Sequence, residues 1–90
     1  MTVTRLSDRR MARGSLLEAI EVLEATLTAA VIPSRRLMSP VLDMWDQADV
    51  VGPATAAPLE RLLSHLMVRH HTTREEVRAT LAEVRRTLET

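Results

Sequence analysis

Three histidines lie close together in this sequence and are the first candidates for metal binding. They are His65, His70 and His71. Ligand pairs on a helix usually lie three or four residues apart, because that spacing places both side chains on one face. The spacings here are five and one, so the sequence predicts no metal site. Helical periodicity instead places His70 on an apolar helix face, where we expect an interior or helix-capping histidine.

Two acidic triplets could provide carboxylates for acid–base or calcium chemistry. They are Glu18, Glu21 and Glu24, and Asp43, Asp46 and Asp49. Steps of three along an α-helix spread each triplet over about 120°, and no calcium-loop glycine separates the aspartates. We therefore interpret both triplets as solvated helix faces. The chain also has no cysteine, no phosphate-binding glycine loop and no nucleophile elbow, so we predict neither a catalytic site nor a cofactor.

Three arginines near the end of the chain are the most promising polar group. Arg74, Arg78 and Arg85 fall within about 40° of one another on the last predicted helix. Arginines beside an apolar helix face usually cover its edge with their stems and pair with acids on the facing helix. The alternative is contact with a phosphate or an acidic partner, which the planar guanidinium group suits. We keep all three as candidate partner-binding residues.

The helix that carries these arginines has the clearest pattern in the chain. Its apolar residues are spaced four, three and four apart, namely Val77, Leu81, Val84 and Leu88. This spacing places them on one narrow side of a helix. Thr73 followed by Glu76 fits a capping box, which predicts a helix over about 73–89. The seam must pack against a facing helix, either in this chain or in a partner.

A second amphipathic helix is predicted over about 15–31, ended by Pro33. Ser15 and Glu18 form its capping box. Its apolar stripe consists of Leu16, Ile20, Leu23, Leu27 and Ala30. Leu17 and Val22 fall outside this stripe on opposite flanks, which suggests a second contact surface. They are therefore candidate partner-binding residues as well.

Two shorter helices are predicted between these. Ser39 followed by Pro40 is a strong helix start, which predicts a helix over about 40–49 that contributes Trp45 to the core. Gly52 and Pro53 predict a loop before a third helix over about 58–71. The apolar face of that third helix is wider than one neighbouring helix would cover. No internal repeat is apparent.

Composition limits the class of protein. The chain has 90 residues, and its twelve arginines balance twelve acidic residues, with no lysine. No global field would therefore draw it to nucleic acid or a membrane. The absence of cysteine and of a signal-peptide core predicts a cytoplasmic protein, and the residue usage is typical of a high-GC, bacterial genome. Residues 1–14 are predicted to form a flexible basic arm before a single helical domain over 15–90.

These patterns predict an all-α fold, a small four-helix bundle completed by self-association. A chain this short buries only about 60 to 65% of the surface its unfolded form exposes, so a partner would stabilise it. We expect a non-catalytic interaction or regulatory module that forms a homodimer or larger assembly, or binds another protein. One alternative is a DNA-binding regulator that uses helices three and four as a helix-turn-helix. The other is a helical-bundle enzyme with an arginine-lined pocket at a dimer interface.

Overall fold

The computed structural model describes the backbone of residues 2–89 and the side chains of residues 8–89. It contains four helices and two three-residue strands, which confirms the predicted all-α class. In chain order the elements are α1 (Thr2–Thr26), β1 (Val31–Pro33), α2 (Ser34–Val51), α3 (Pro53–Val68), β2 (His71–Thr73) and α4 (Arg74–Glu89).

These elements form two helix–strand–helix units. The first unit is α1, β1 and α2, and the second unit is α3, β2 and α4. Their strands pair antiparallel, with Ile32 opposite Thr72 at the centre. Just beyond the strands, the Ser34 N–H donates to the His70 carbonyl and the Arg74 N–H donates to the Ala30 carbonyl, both at 2.9 Å. The two units are therefore joined by a short sheet with near-twofold hydrogen bonding.

The two units also bury equivalent positions. In α2 these are Leu37, Val41, Met44 and Ala48, and forty residues later in α4 they are Val77, Leu81, Val84 and Leu88. In α1 and just after it they are Leu16, Ile20, Leu23 and Leu27, and thirty-nine residues later in α3 they are Thr55, Leu59, Leu62 and Leu66. The equivalent positions of the two units carry different residue types, because packing requires only the spacing and approximate volume of apolar groups. The sequence therefore shows no repeat.

The predicted start of the second helix was wrong. The helix begins at Ser34 rather than Pro40, so Pro40 lies inside it. An internal proline removes one backbone hydrogen bond and is usually unfavourable. Here the first turns place Leu37 in the core, with 3% of its surface exposed. Because burial of Leu37 stabilises these turns, the helix begins before the local start signal at Ser39 and Pro40.

The predicted loop between helices two and three is also absent. α2 continues to Val51 and α3 begins at Pro53, so Gly52 alone separates them. Its φ of 157° and ψ of 165° lie in a region that only glycine occupies without strain. Pro53 then takes the first helical position, where its missing N–H is not needed. The sequence signals for a helix break were correct, but the break is one residue long.

The first helix differs from its prediction at both ends. It begins at Thr2, so it includes the residues predicted to form a flexible basic arm, although the side chain of Arg5 lies outside the described residues. It ends at Thr26 rather than near residue 31, because Val31 belongs to β1. The positions that would continue its buried stripe before Leu16 are occupied by Arg9, Ala12 and Arg13. This N-terminal part of α1 therefore adds no apolar seam to the core.

The seam of α4 is confirmed. Val77, Leu81 and Val84 are fully buried, and their facing helices belong to the same chain. The hydroxyl of Thr73 accepts from the Glu76 N–H at 3.2 Å, as the capping signal predicted. Trp45 is less central than predicted, because it is only half-buried at the edge of the core and donates from Nε1 to Glu60 at 3.2 Å.

Candidate interaction groove

A groove opens along the outer side of the first unit, between α1, β1 and α2. Its volume is about 830 Å³. Its apolar lining includes Ala19, Val22, Leu23, Ile32, Leu37 and Met44. Val22 and Val31, on its rim, are 64% and 52% exposed. Leu23, Leu37 and Met44 in the floor of the groove already belong to the core, so its exposed apolar surface is provided mainly by Val22 and Val31.

The rim of the groove carries two acidic residues and one arginine at different places. Glu18 and Asp43 line the end of the groove next to the N-terminal part of α1, and Arg36 lines the side near β1. All three side chains belong to exposed residues. A cationic ligand group would be favoured at the end that carries the two carboxylates.

The second unit has ion pairs at the equivalent positions. Val22 corresponds to Arg61 and Asp43 corresponds to Glu83, and the Arg61 guanidinium forms a salt bridge with the Glu83 carboxylate across α3 and α4. The stems of such side chains cover apolar surface while their charged ends remain in water. The first unit has no cation opposite Asp43 at this position, because a valine replaces it.

A second contact between charged or polar side chains also occurs only in the second unit among the described residues. Thr26 corresponds to His65 and Arg36 corresponds to Glu76, and His65 Nε2 lies 3.0 Å from Glu76 Oε2. The contact is an ion pair only when the imidazole is protonated, and its angles do not meet hydrogen-bond geometry. The pocket lined by Arg61 and Glu83 has a volume of about 360 Å³, less than half that of the groove in the first unit.

The three candidate arginines of α4 do not form one exposed site. Arg85 pairs with Glu24 of α1 at 2.8 Å, as expected for an arginine at the edge of an internal seam. Arg74 donates from Nη1 to the Thr28 carbonyl at 3.2 Å, and its Nε is buried without a hydrogen-bond partner among the described residues. Arg78 is exposed on the surface of α4.

The two aliphatic candidates on α1 have different environments. Leu17 is partly buried and packs against the core, so the chain itself accounts for it. Val22 lies on the rim of the groove. Sequence reasoning missed Val31 and Met11, which are 52% and 72% exposed. The sequence gives one signal for Met11. Residues spaced four, three and four apart lead from Met11 to Val22, so the two side chains lie on the same face of α1.

The three histidines also lie in different parts of the structure. The prediction that His70 lies on an apolar helix face was wrong, because α3 ends at Val68 and His70 is exposed in the bend before β2. His71 is exposed on β2, whereas His65 is half-buried beside Glu76. Among the described residues, no three histidine or acidic side chains are grouped so that they could hold a metal ion.

No helix within residues 2–89 is long and apolar enough to cross a membrane. No protein-family model, curated protein or solved structure matches the chain.

Proposed function

We propose that this chain is a non-catalytic protein-interaction module whose binding site is the groove between α1, β1 and α2. The observation that supports this most strongly is the contrast between the two units. Equivalent outer faces carry Arg61 and Glu83 as an ion pair in the second unit, but Val22 and an unmatched Asp43 in the first. The exposed valines of the groove give a partner apolar surface to bury, which is the main source of affinity in such contacts.

The shape of the groove favours a helix or another extended segment over a small molecule. Its walls are two helices and its rim is charged, which is how grooves that take the apolar face of an amphipathic helix are built. Catalysis would require convergent polar groups in an enclosed site. The groove offers Glu18, Arg36 and Asp43, all of them exposed on its rim.

The DNA-binding alternative receives less support. A recognition helix would present Arg74 and Arg78 to the duplex together. Arg74 instead contacts the Thr28 carbonyl, and Arg85 is paired with Glu24. The strand β2 also separates α3 from α4, in place of a tight turn.

Site-specific photo-crosslinking tests the proposal. A photoreactive amino acid at position 31, on the groove rim, should form adducts with a protein in cells that make this chain, and mass spectrometry identifies the protein. The same residue at position 82, which is exposed on α4, serves as the control. Val22→Arg copies the second unit and should remove the adducts from position 31. The proposal fails if position 31 gives no adduct, or if Val22→Arg leaves its adducts unchanged.

A further inference from the structure

The N-terminal part of α1 and the remainder of the chain have opposite net charge, and two of the three charged residues on the groove rim are acidic. Residues 1–14 contain four arginines and one aspartate, whereas residues 15–90 contain eight arginines and eleven acidic residues. With histidines neutral, the first segment carries a net charge of +3 and the remainder a net charge of −3. The balanced total charge therefore conceals a strong separation between the two parts.

The described residues of this arm, 8–14, are all exposed except Ala12, which is partly buried. Arg9, Arg10, Met11 and Arg13 are all exposed, and Met11 exposes 72% of its surface. Among the described residues, nothing covers Met11 or these arginine side chains of the arm.

The arm cannot reach the groove of its own chain. α1 is one continuous helix of 25 residues, about 37 Å long, and the groove begins at Ser15, immediately after the arm. A straight helix cannot fold back along its own side. The arm of a second copy has no such restriction, and each copy carries both an arm and a groove, so one reciprocal contact satisfies both.

From these observations we infer that two copies of this chain associate by placing the arm of each in the α1–α2 groove of the other. Met11 buries its side chain among the apolar groups near Val22 and Leu37, and the arm arginines lie close to the carboxylates of Glu18 and Asp43. This inference rests on the proposed function, because it names the partner that the groove binds. Burial of Met11 provides affinity, and the charges select the arm over other segments.

Charge reversal on the full chain tests the inference. The arm variant carries Arg9→Glu, Arg10→Glu and Arg13→Glu, and the rim variant carries Glu18→Arg and Asp43→Arg. Each places like charges on arm and rim, so each should be monomeric by light scattering at concentrations where the unaltered chain is dimeric. An equimolar mixture should restore the dimer, because arm and rim are again opposite in both contacts. Circular dichroism checks that both variants remain helical.

A matched control reverses acids outside the groove. Glu21→Arg with Asp46→Arg changes exposed residues on the same two helices by the same charge, and this variant should dimerise like the unaltered chain. Met11→Gln tests the apolar part without changing the charge of the arm, and should weaken dimerisation by about tenfold or more.

The inference is overturned if the unaltered chain is monomeric at about 100 µM, a concentration that would reveal even weak dimers. It is equally overturned if the dimer survives both reversals, or if mixing the two variants fails to restore it. Adducts from position 31 with a different protein, in a chain that stays monomeric, would overturn this inference while supporting the proposed function. A monomeric chain that gives no adduct would remove both.

Discussion

In the second unit, Arg61 reaches across the helix pair to Glu83, whereas the equivalent positions of the first unit hold Val22 and Asp43. The buried positions beneath are matched almost one for one. The two units therefore share an interior pattern and differ on the outer face. Substitutions on the outer face can therefore change the surface that a unit presents while leaving the core, and so the fold, largely unaltered.

The shared interior predicts the largest effects on stability. Leu81→Ala, at a fully buried position, should lower the free energy of unfolding by about 2 to 5 kcal/mol through lost burial and a residual cavity. Val41→Ala, at the equivalent position of the first unit, should cost about 1 to 3 kcal/mol because fewer carbon atoms are removed. Both are measured by urea unfolding. If Leu81→Ala unfolds like the exposed control Arg78→Ala, the core assignment is wrong.

The junction between the units should give the next largest effect. Gly52→Ala should destabilise the chain by about 1 to 3 kcal/mol, because a φ of 157° is strained for any residue with a side chain. The added Cβ would meet no atom within 4 Å, so the effect would come from the backbone alone. Gly14→Ala is the natural control, since this glycine lies within α1 and alanine favours helix by about 1 kcal/mol. Equal effects of the two substitutions would contradict the junction geometry.

A buried hydroxyl pair joins the units beside their sheet. Ser34 Oγ and Thr72 Oγ1 are 2.8 Å apart, and both residues are almost fully buried. Ser34→Ala should cost about 1 to 2 kcal/mol, because it leaves the Thr72 hydroxyl without this partner. Ser34→Ala combined with Thr72→Val should cost less than the sum of the two single changes, which a double-mutant cycle measures. Strict additivity would show that the pair contributes no coupling energy.

Exchange of the outer-face residues should have small effects on stability. Val22→Arg would place a guanidinium opposite Asp43, and Arg61→Val would remove the cation opposite Glu83. Both sites are exposed, so each change should alter the free energy of unfolding by less than about 1 kcal/mol. Urea unfolding at low micromolar protein concentration measures this. A loss of several kcal/mol from Val22→Arg would mean that the two outer faces are not equivalent.

The smallest expected effect concerns nucleic acid. We expect no salt-sensitive binding of duplex DNA at physiological ionic strength, and no change when Arg74 and Arg78 are both replaced by alanine, as fluorescence anisotropy would show. Arg74 is engaged with the Thr28 carbonyl, and Glu75 and Glu76 lie beside it. Submicromolar binding that the double replacement abolishes would favour the DNA-binding alternative.

Periodic apolar spacing by itself determined the helical class, the buried stripe from Leu16 to Leu27 and the seam from Val77 to Leu88, because burial on a helix depends directly on that period. Local signals also located the cap at Thr73 and the break at Gly52. The local signals predicted the wrong helix ends near Pro40 and His70. Long-range packing and the pairing of two three-residue strands determine the helix ends there.

Only the tertiary structure decided which surface remains open. The sequence identified both Leu17 and Val22 as aliphatic residues outside the apolar stripe of α1. In the structure Leu17 is partly buried against the core, whereas Val22 lies on the rim of the groove. It also paired Arg85 with Glu24, 61 residues away in the sequence. The correspondence of Val22 with Arg61 became visible only once the two units were paired through β1 and β2. Exposure and ion pairing depend on which helices become neighbours, and periodicity within one helix carries no information about that choice.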